Sequence, residues 1–296
     1  MRNKNLIGTG VAIVTPFTKK GEVDIKSLTN LVKYLHNGKV EYIVALGTTR
    51  ETATLTNDEK QLVIETVIKA NANKLPLVLG IGGNNTAEVI DIIKKTDLKK
   101  FEAILSVAPY YNKPNQQGYY EHYKAVAQST KKDIILYNVP SRTGSNVTWE
   151  TQVKIAFNFK NIVATKEASG SIEQIMKVIK NKPKDFMVIS GDDNLTLPII
   201  SAGGAGVISV LANAFPNDFS EMVRLCLKHK FTEAQKLHYK LMDITDQLFA
   251  DGNPGGIKIA LNILKQCEPF VRLPLCEPND NVKNSLKDLI KSYKPF

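Results

Sequence analysis

The sequence predicts an α/β fold: a (β/α)8 TIM barrel with a C-terminal helical extension. Three observations carry that expectation. Short runs rich in Val, Ile and Leu recur eight times, helical patterns separate them, and the first run lacks a glycine-rich phosphate loop. Continuous apolar runs read as parallel strands buried on both faces. Strand–helix alternation repeated this often closes into a barrel. An open doubly wound sheet would want its dinucleotide fingerprint after the first strand, where Val14-Thr15-Pro16-Phe17 stands instead. Gly80-Ile81-Gly82-Gly83 follows the third strand and lacks the spacing.

In order, the strands are expected at residues 11–16, 42–48, 77–82, 103–109, 134–139, 162–167, 186–191 and 206–211. Helices fall between them at 25–36, 57–70, 86–95, 116–128, 149–158, 172–180 and 195–201. Thr56 stands three residues before Glu59, which is the spacing of a capping box, and Thr148 precedes Trp149-Glu150. After the eighth strand, helical patterns cover 218–229, 232–249, 255–267 and 281–292. The expected division is a barrel carrying the active site over 1–225 and a helical region over 226–296, with no Pro/Gly/Ser-rich linker between them.

Of the 296 residues, 43% are hydrophobic and 23% charged, as in a globular chain with a sizeable core. The net charge of +10 is spread over short lysine pairs such as Lys94-Lys95 and Lys131-Lys132. No basic run carries interleaved aromatics, so solvated helix faces are expected rather than nucleic acid. Residues 1–5 are basic and 6–14 fairly apolar, but Gly8 and Gly10 interrupt the run and no small-residue cleavage site follows, so it reads as the first strand. No apolar stretch is long enough to span a membrane. Cys226, Cys267 and Cys276 are odd in number and form no C-x-x-C, which points to a reducing, cytoplasmic setting. The four histidines lack metal-ligand spacing, and no metal is expected.

Side chains at the C-terminal strand ends of such a barrel converge on one mouth. The sixth strand ends in Ala164-Thr165-Lys166-Glu167, and alternation would put Ile162, Ala164 and Lys166 on one face. Burial strips water from an ammonium and favours the neutral amine, which attacks a ketone to give an iminium, an electron sink for carbon–carbon bond formation. A lysine here can equally pair with Glu167 or reach solvent. Tyr137 alternates with Ile135 and is either a proton relay or a core tyrosine bound to backbone. Thr48 is either a relay hydroxyl or a turn threonine. Arg142, in the loop after Pro140-Ser141, either holds a substrate carboxylate or lies on the surface.

Gly47-Thr48-Thr49-Arg50-Glu51, Pro109-Tyr110-Tyr111-Asn112, Tyr137-Asn138-Val139-Pro140-Ser141-Arg142-Thr143-Gly144 and Lys166-Glu167-Ala168-Ser169-Gly170 occur in order. Ser190-Gly191-Asp192-Asp193 and Gly206-Val207-Ile208-Ser209 follow. From about Gly8 to the C-terminus, the whole resembles the dihydrodipicolinate synthase family. The resemblance implies a lyase of lysine (diaminopimelate) biosynthesis that condenses pyruvate with L-aspartate 4-semialdehyde. It implies Lys166 as the Schiff-base former and Tyr137, Thr48 and Tyr111 as the relay, Tyr111 reaching into a neighbouring subunit's site. Thr48 and Thr49 match the positions that hold the pyruvate carboxylate, Arg142 the one that receives the second carboxylate, and Ile208 and Gly191 fall at substrate-binding positions. A homotetramer and no cofactor beyond the covalent pyruvate are implied. The related N-acetylneuraminate and 2-keto-3-deoxy sugar acid lyases usually lack Ser-Arg-Thr-Gly after the tyrosine motif, so Ser141-Arg142-Thr143-Gly144 favours the synthase.

Two positions depart from the family pattern. Arg50 stands where the loop usually has glycine, and three roles are open for it: obstruction of the site, a side chain turned to solvent, or altered specificity. Asn84, Glu88 and Tyr110 match allosteric positions that bind inhibitory lysine, but Asn57 and Lys60 stand where regulated members often have histidines. Weak or absent lysine inhibition is therefore expected.

Overall fold

The computed structural model describes residues 3–47 and 51–295. Eight parallel strands close in sequence order: β1 (Gly8–Ala12), β2 (Tyr42–Ala45), β3 (Leu77–Gly80), β4 (Ala103–Val107), β5 (Asp133–Asn138), β6 (Ile162–Glu167), β7 (Met187–Ser190) and β8 (Gly206–Ser209), with β8 pairing back onto β1. Around them run α1 (Ile25–Asn37), α2 (Asn57–Asn71), α3 (Thr86–Lys95), α4 (Gln116–Gln128), the single turn α5 (Pro140–Thr143), α6 (Trp149–Asn158), α7 (Ile172–Asn181), α8 (Thr196–Ser201) and α9 (Pro216–Leu227). The chain then adds α10 (Phe231–Phe249), α11 (Gly255–Ile263) and α12 (Asp280–Ser292).

The expected elements are all present, with the largest displacement at β1. The expected strand 11–16 lies at Gly8–Ala12, because glycines read as interruptions are what the crowded barrel floor requires. A Cβ on Gly10 would fall 2.1 Å from the Tyr42 ring. Past Ala12 the Asn213 side chain replaces a strand neighbour: its amide donates to Ala12 O (3.0 Å) and its Oδ1 accepts from Val14 N–H (3.1 Å).

Two apolar layers follow from strand alternation. Tyr42, Val44, Val78, Leu105, Ile135 and Ile189 fill the barrel, whereas Ile43, Leu77, Ile104, Ile134 and Val188 pack under the helices. The outer layer is continuous with Leu241 of α10, Ile257 of α11 and Leu286 of α12. The expected division between residues 225 and 226 falls inside α9.

β6 breaks the alternation. Ile134 pairs with Ile162, but Ile135 pairs with Ala164, so Val163 is an extra residue in β6. Ile162 therefore belongs to the outer layer while Val163 and Ala164 both belong to the inner one. The expectation that Ile162 and Ala164 share a face is corrected: a bulge stands between them.

Candidate active site

Lys166 is held by its neighbours in the sheet, opposite Tyr137 on β5 and Ile189 on β7. It is 5% exposed, and its Nζ lies 4.2 Å from the centroid of the Tyr137 ring. An ammonium over that ring is favoured electrostatically. Glu167 faces the opposite way. Its carboxylate accepts from Ser169 Oγ (2.6 Å), Asn138 Nδ2, Gln152 Nε2 (3.3 Å) and Gln174 Nε2 (3.3 Å). Burial raises the Glu167 carboxyl above its usual range, and these donors oppose the rise. The alternatives of a solvent-reaching lysine or a Lys166–Glu167 pair do not describe this geometry.

Gly191 leaves the room Lys166 occupies. A Cβ there would lie 3.0 Å from Lys166 Cε and 2.7 Å from Ala168 Cβ. Ile208 belongs to the same inner apolar cluster as Tyr137 and Ala164.

A cavity of about 440 Å³ opens at these strand ends, and Gly47, Val107, Tyr110, Tyr137, Arg142 and Asn253 line it. Lys166 is not among the lining side chains, but the tyrosine its Nζ touches is. Arg142 is exposed on α5, and its Nη2 donates to Asn253 O (3.3 Å) in the connection between α10 and α11. Lys60 of α2 lines the same cavity, adding a second cation.

Thr48, Thr49 and Arg50 lie outside the described residues. The described residues on either side are constrained, since Leu46 and Glu51 both have φ 56°, in the left-handed range. Such conformations persist only where the surroundings hold them. Thr52 Oγ1 donates to Gly47 O (3.1 Å).

Tyr111 is not brought into the cavity. It stands 87% exposed, with φ 71°, at the centre of a turn closed by Asn112 N–H donating to Tyr110 O (2.9 Å). Tyr110 does line the cavity. Asn84 O accepts from Asn112 Nδ2 (2.9 Å), and Glu88 is exposed in the first turn of α3.

Two charged groups beside the site were given no role from sequence. Asp193 is buried after β7, where its Oδ2 accepts from Val210 N–H (3.1 Å) and Leu211 N–H (2.9 Å), tying the β7 loop to the end of β8. Burial pushes its carboxyl up to about 6. Lys258, in the wholly buried first turns of α11, donates to Glu51 Oε1 (2.6 Å). Its signal in the sequence is a lone charge within Gly-Gly-Ile-Lys-Ile-Ala-Leu, since an isolated charge in an apolar helix needs a partner.

Comparison with known proteins gives the family and the overall fold. The family model for the dihydrodipicolinate synthetase family matches residues 5–293. A 4-hydroxy-tetrahydrodipicolinate synthase of Flavobacterium psychrophilum is 55% identical over 280 residues, covering 95% of this chain and 96% of that protein. The crystal structure of dihydrodipicolinate synthase from Aquifex aeolicus superposes with a TM-score of 0.94 at 40% identity, over 97% of this chain and 98% of that one. A solved monomeric dihydrodipicolinate synthase variant gives 0.94 at 36% identity, over 97% and 96%. The chain belongs to the dihydrodipicolinate synthetase family.

Proposed function

We propose that this chain condenses pyruvate with L-aspartate 4-semialdehyde, as a 4-hydroxy-tetrahydrodipicolinate synthase does, in lysine biosynthesis through diaminopimelate. The observation that carries the reading is a buried lysine against a tyrosine that lines a cavity at the barrel mouth. Lys166 Nζ attacks C2 of pyruvate and the carbonyl oxygen leaves as water. The iminium withdraws electrons, C3 loses a proton, and the enamine adds to the aldehyde carbon. The amine of the adduct then attacks C2, closes the ring and releases Lys166. Tyr137 carries protons in these steps, with Thr48 and with Tyr111 from a second subunit. Thr48 and Thr49 hold the keto-acid carboxylate beside Ile208 and Gly191, and Arg142 receives the carboxylate of the semialdehyde.

The iminium is itself the electron sink, so the reaction asks for no cofactor. Among the described residues no cluster of His, Cys, Asp and Glu suits a metal ion, and no helix is long and apolar enough to cross a membrane. Exposed Tyr111 favours an assembly in which a second copy covers it, and a homotetramer is the state we propose. Buried Cys226 and Cys267 are free thiols, which suits the cytoplasm.

Borohydride reduction in the presence of pyruvate, followed by peptide mass spectrometry, tests the reading. A pyruvyl adduct on Lys166 is expected, and its absence overturns the covalent route. Arg50 favours a second reading, an impaired site. Arg50→Gly raises kcat/KM if arginine obstructs the mouth, lowers it if the guanidinium recruits a carboxylate, and leaves it unchanged if the side chain faces solvent.

Lys60 lines the same cavity as the allosteric candidate Tyr110, and its ammonium disfavours a cationic effector there; Asn84 and Glu88, the other candidates, lie outside that lining. Lysine titration against initial rate is expected to show weak inhibition or none. A steep curve at low concentration contradicts this.

A further inference from the structure

The Glu167 carboxylate is fully buried behind the strand that carries Lys166, and the four side chains that donate to it are neutral. Backbone groups fix which way two of the amides point. Asn138 Oδ1 accepts from Val147 N–H (3.0 Å), so Nδ2 is the atom turned to Glu167. Gln152 Nε2 donates to Val147 O (2.9 Å), and its Oε1 accepts from Thr165 Oγ1 (2.8 Å). Gln152 thus holds both neighbours of Lys166, Thr165 through its oxygen and Glu167 through its nitrogen (3.3 Å). With the residues before and after it tied outward to one side chain of α6, the lysine between them is turned into the barrel.

That outward hold matters because β6 is bulged. Pairing continued without the bulge from Ile134–Ile162 would set Thr165 opposite Tyr137 and turn Lys166 toward the helices. It would also turn Glu167 into the apolar interior, where a carboxylate without partners is costly. Ladder hydrogen bonds of the backbone can form in either register. The donors from Asn138, Gln152, Ser169 and Gln174 meet Glu167 in only one of them. Asn138 is also the residue paired with Glu167 in the sheet, so their side-chain bond spans the two strand ends that carry Tyr137 and Lys166.

We infer that Glu167 is a positioning residue for Lys166: through Asn138 and Gln152 it selects the register of bulged β6 that brings the amine into the barrel against Tyr137. The inference rests on the proposed reaction. Glu167 lies behind the strand and acts through it.

The test is Glu167→Met, which removes the acceptor and keeps an unbranched side chain. Asn138 Nδ2 and Gln174 Nε2 retain Asn146 Oδ1 as an acceptor (2.8 and 3.2 Å), and Gln152 Nε2 retains Val147 O, so the variant is expected to fold. Adduct on Lys166 is trapped with borohydride at timed intervals over a series of pyruvate concentrations, with circular dichroism and Tm as folding controls. The expected result is adduct formation about tenfold slower at saturating pyruvate, with the half-saturating concentration unchanged. Glu167→Gln is expected to restore the rate, since its oxygen can accept from Asn138 and Gln152 while its amine donates to Ser169 Oγ. A folded Glu167→Met with a lower Tm and the wild-type rate overturns the inference and leaves Glu167 a structural strut. A Glu167→Gln as slow as Glu167→Met overturns it as well, because charge rather than pose would then govern the rate. Should Glu167→Met not fold, Asn138→Asp sets carboxylate against carboxylate and keeps the acceptor for Val147 N–H. Slower adduct formation at unchanged half-saturation then supports the inference, and the wild-type rate overturns it. Wild-type protein without any adduct overturns the proposed reaction and this inference together.

Discussion

Gly191 shows how little space the lysine has. Gly191→Ala would put a methyl group 3.0 Å from Lys166 Cε and 2.7 Å from Ala168 Cβ. Ala168 just past β6 is tied by its N–H to Asn138 O, so the Lys166 stem must give way and the reactive amine would be displaced. Adduct formation with pyruvate is expected to slow by about 10–10²-fold, read by quenched borohydride trapping. A rate equal to wild type would mean that the lysine stem moves freely. At this scale the sequence was informative about residue types and less so about directions. Lys166 and Tyr137 were legible because charged and phenolic groups are rare on apolar strands, and their cross-strand contact follows from register. The supporting alternation was only half right, because nothing in Ile162-Val163-Ala164 announces that one residue is extra. Lys258 was visible as an isolated charge, but its partner is 207 residues away along the chain.

Between elements, the seam of α3 and α4 carries a pH-sensitive contact. His122 Nδ1 lies 2.9 Å from Thr86 Oγ1, and its buried Nε2 has no partner among the described residues. Burial lowers the imidazole from 6.5 to about 4. The unfolded chain takes up this proton near 6.5 and the folded chain only near 4, so stability falls as pH drops through that window. Asp193 has the opposite sign: its raised carboxyl is protonated earlier in the fold, so its contribution declines as pH rises toward 6. Comparing wild type with His122→Gln separates the two. Between pH 7 and 4.5, urea unfolding should show the variant losing about 2–3 kcal/mol less than wild type. Equal losses would assign the acid limb to other groups. Helix ends were the most legible elements: the Thr56–Glu59 capping box forms as its spacing predicts. β1 was the least legible, since its glycines signal a break locally and answer to the Tyr42 ring globally.

For the whole molecule, barrel and C-terminal helices share one outer core, and the layer supplies Lys258, Arg272 and Asn253 to the mouth. A chain ending at residue 229 would retain all eight strands and α9 but leave Glu51 without its ammonium and the outer core uncovered. It is expected to be insoluble or molten, with near-UV circular dichroism lost; a cooperative unfolding transition would show that the barrel stands alone. The eightfold alternation was readable because each unit repeats one pattern, whereas the dependence of the mouth on the last helices has no local signature. The extra residue in β6 also bears on which length changes this chain can accept. Deleting Val163 would restore regular pairing with β5 and make a more ideal sheet. Pairing propagated from Ile134–Ile162 would then keep Ala164 opposite Ile135 and Lys166 opposite Tyr137, so every later side chain of the strand would stay on its present side. A single lost codon at this point would thus leave the nucleophile in place, while loss of Thr165, with pairing propagated from Ile135–Ala164, would put Glu167 opposite Tyr137 and exchange the nucleophile for an acid.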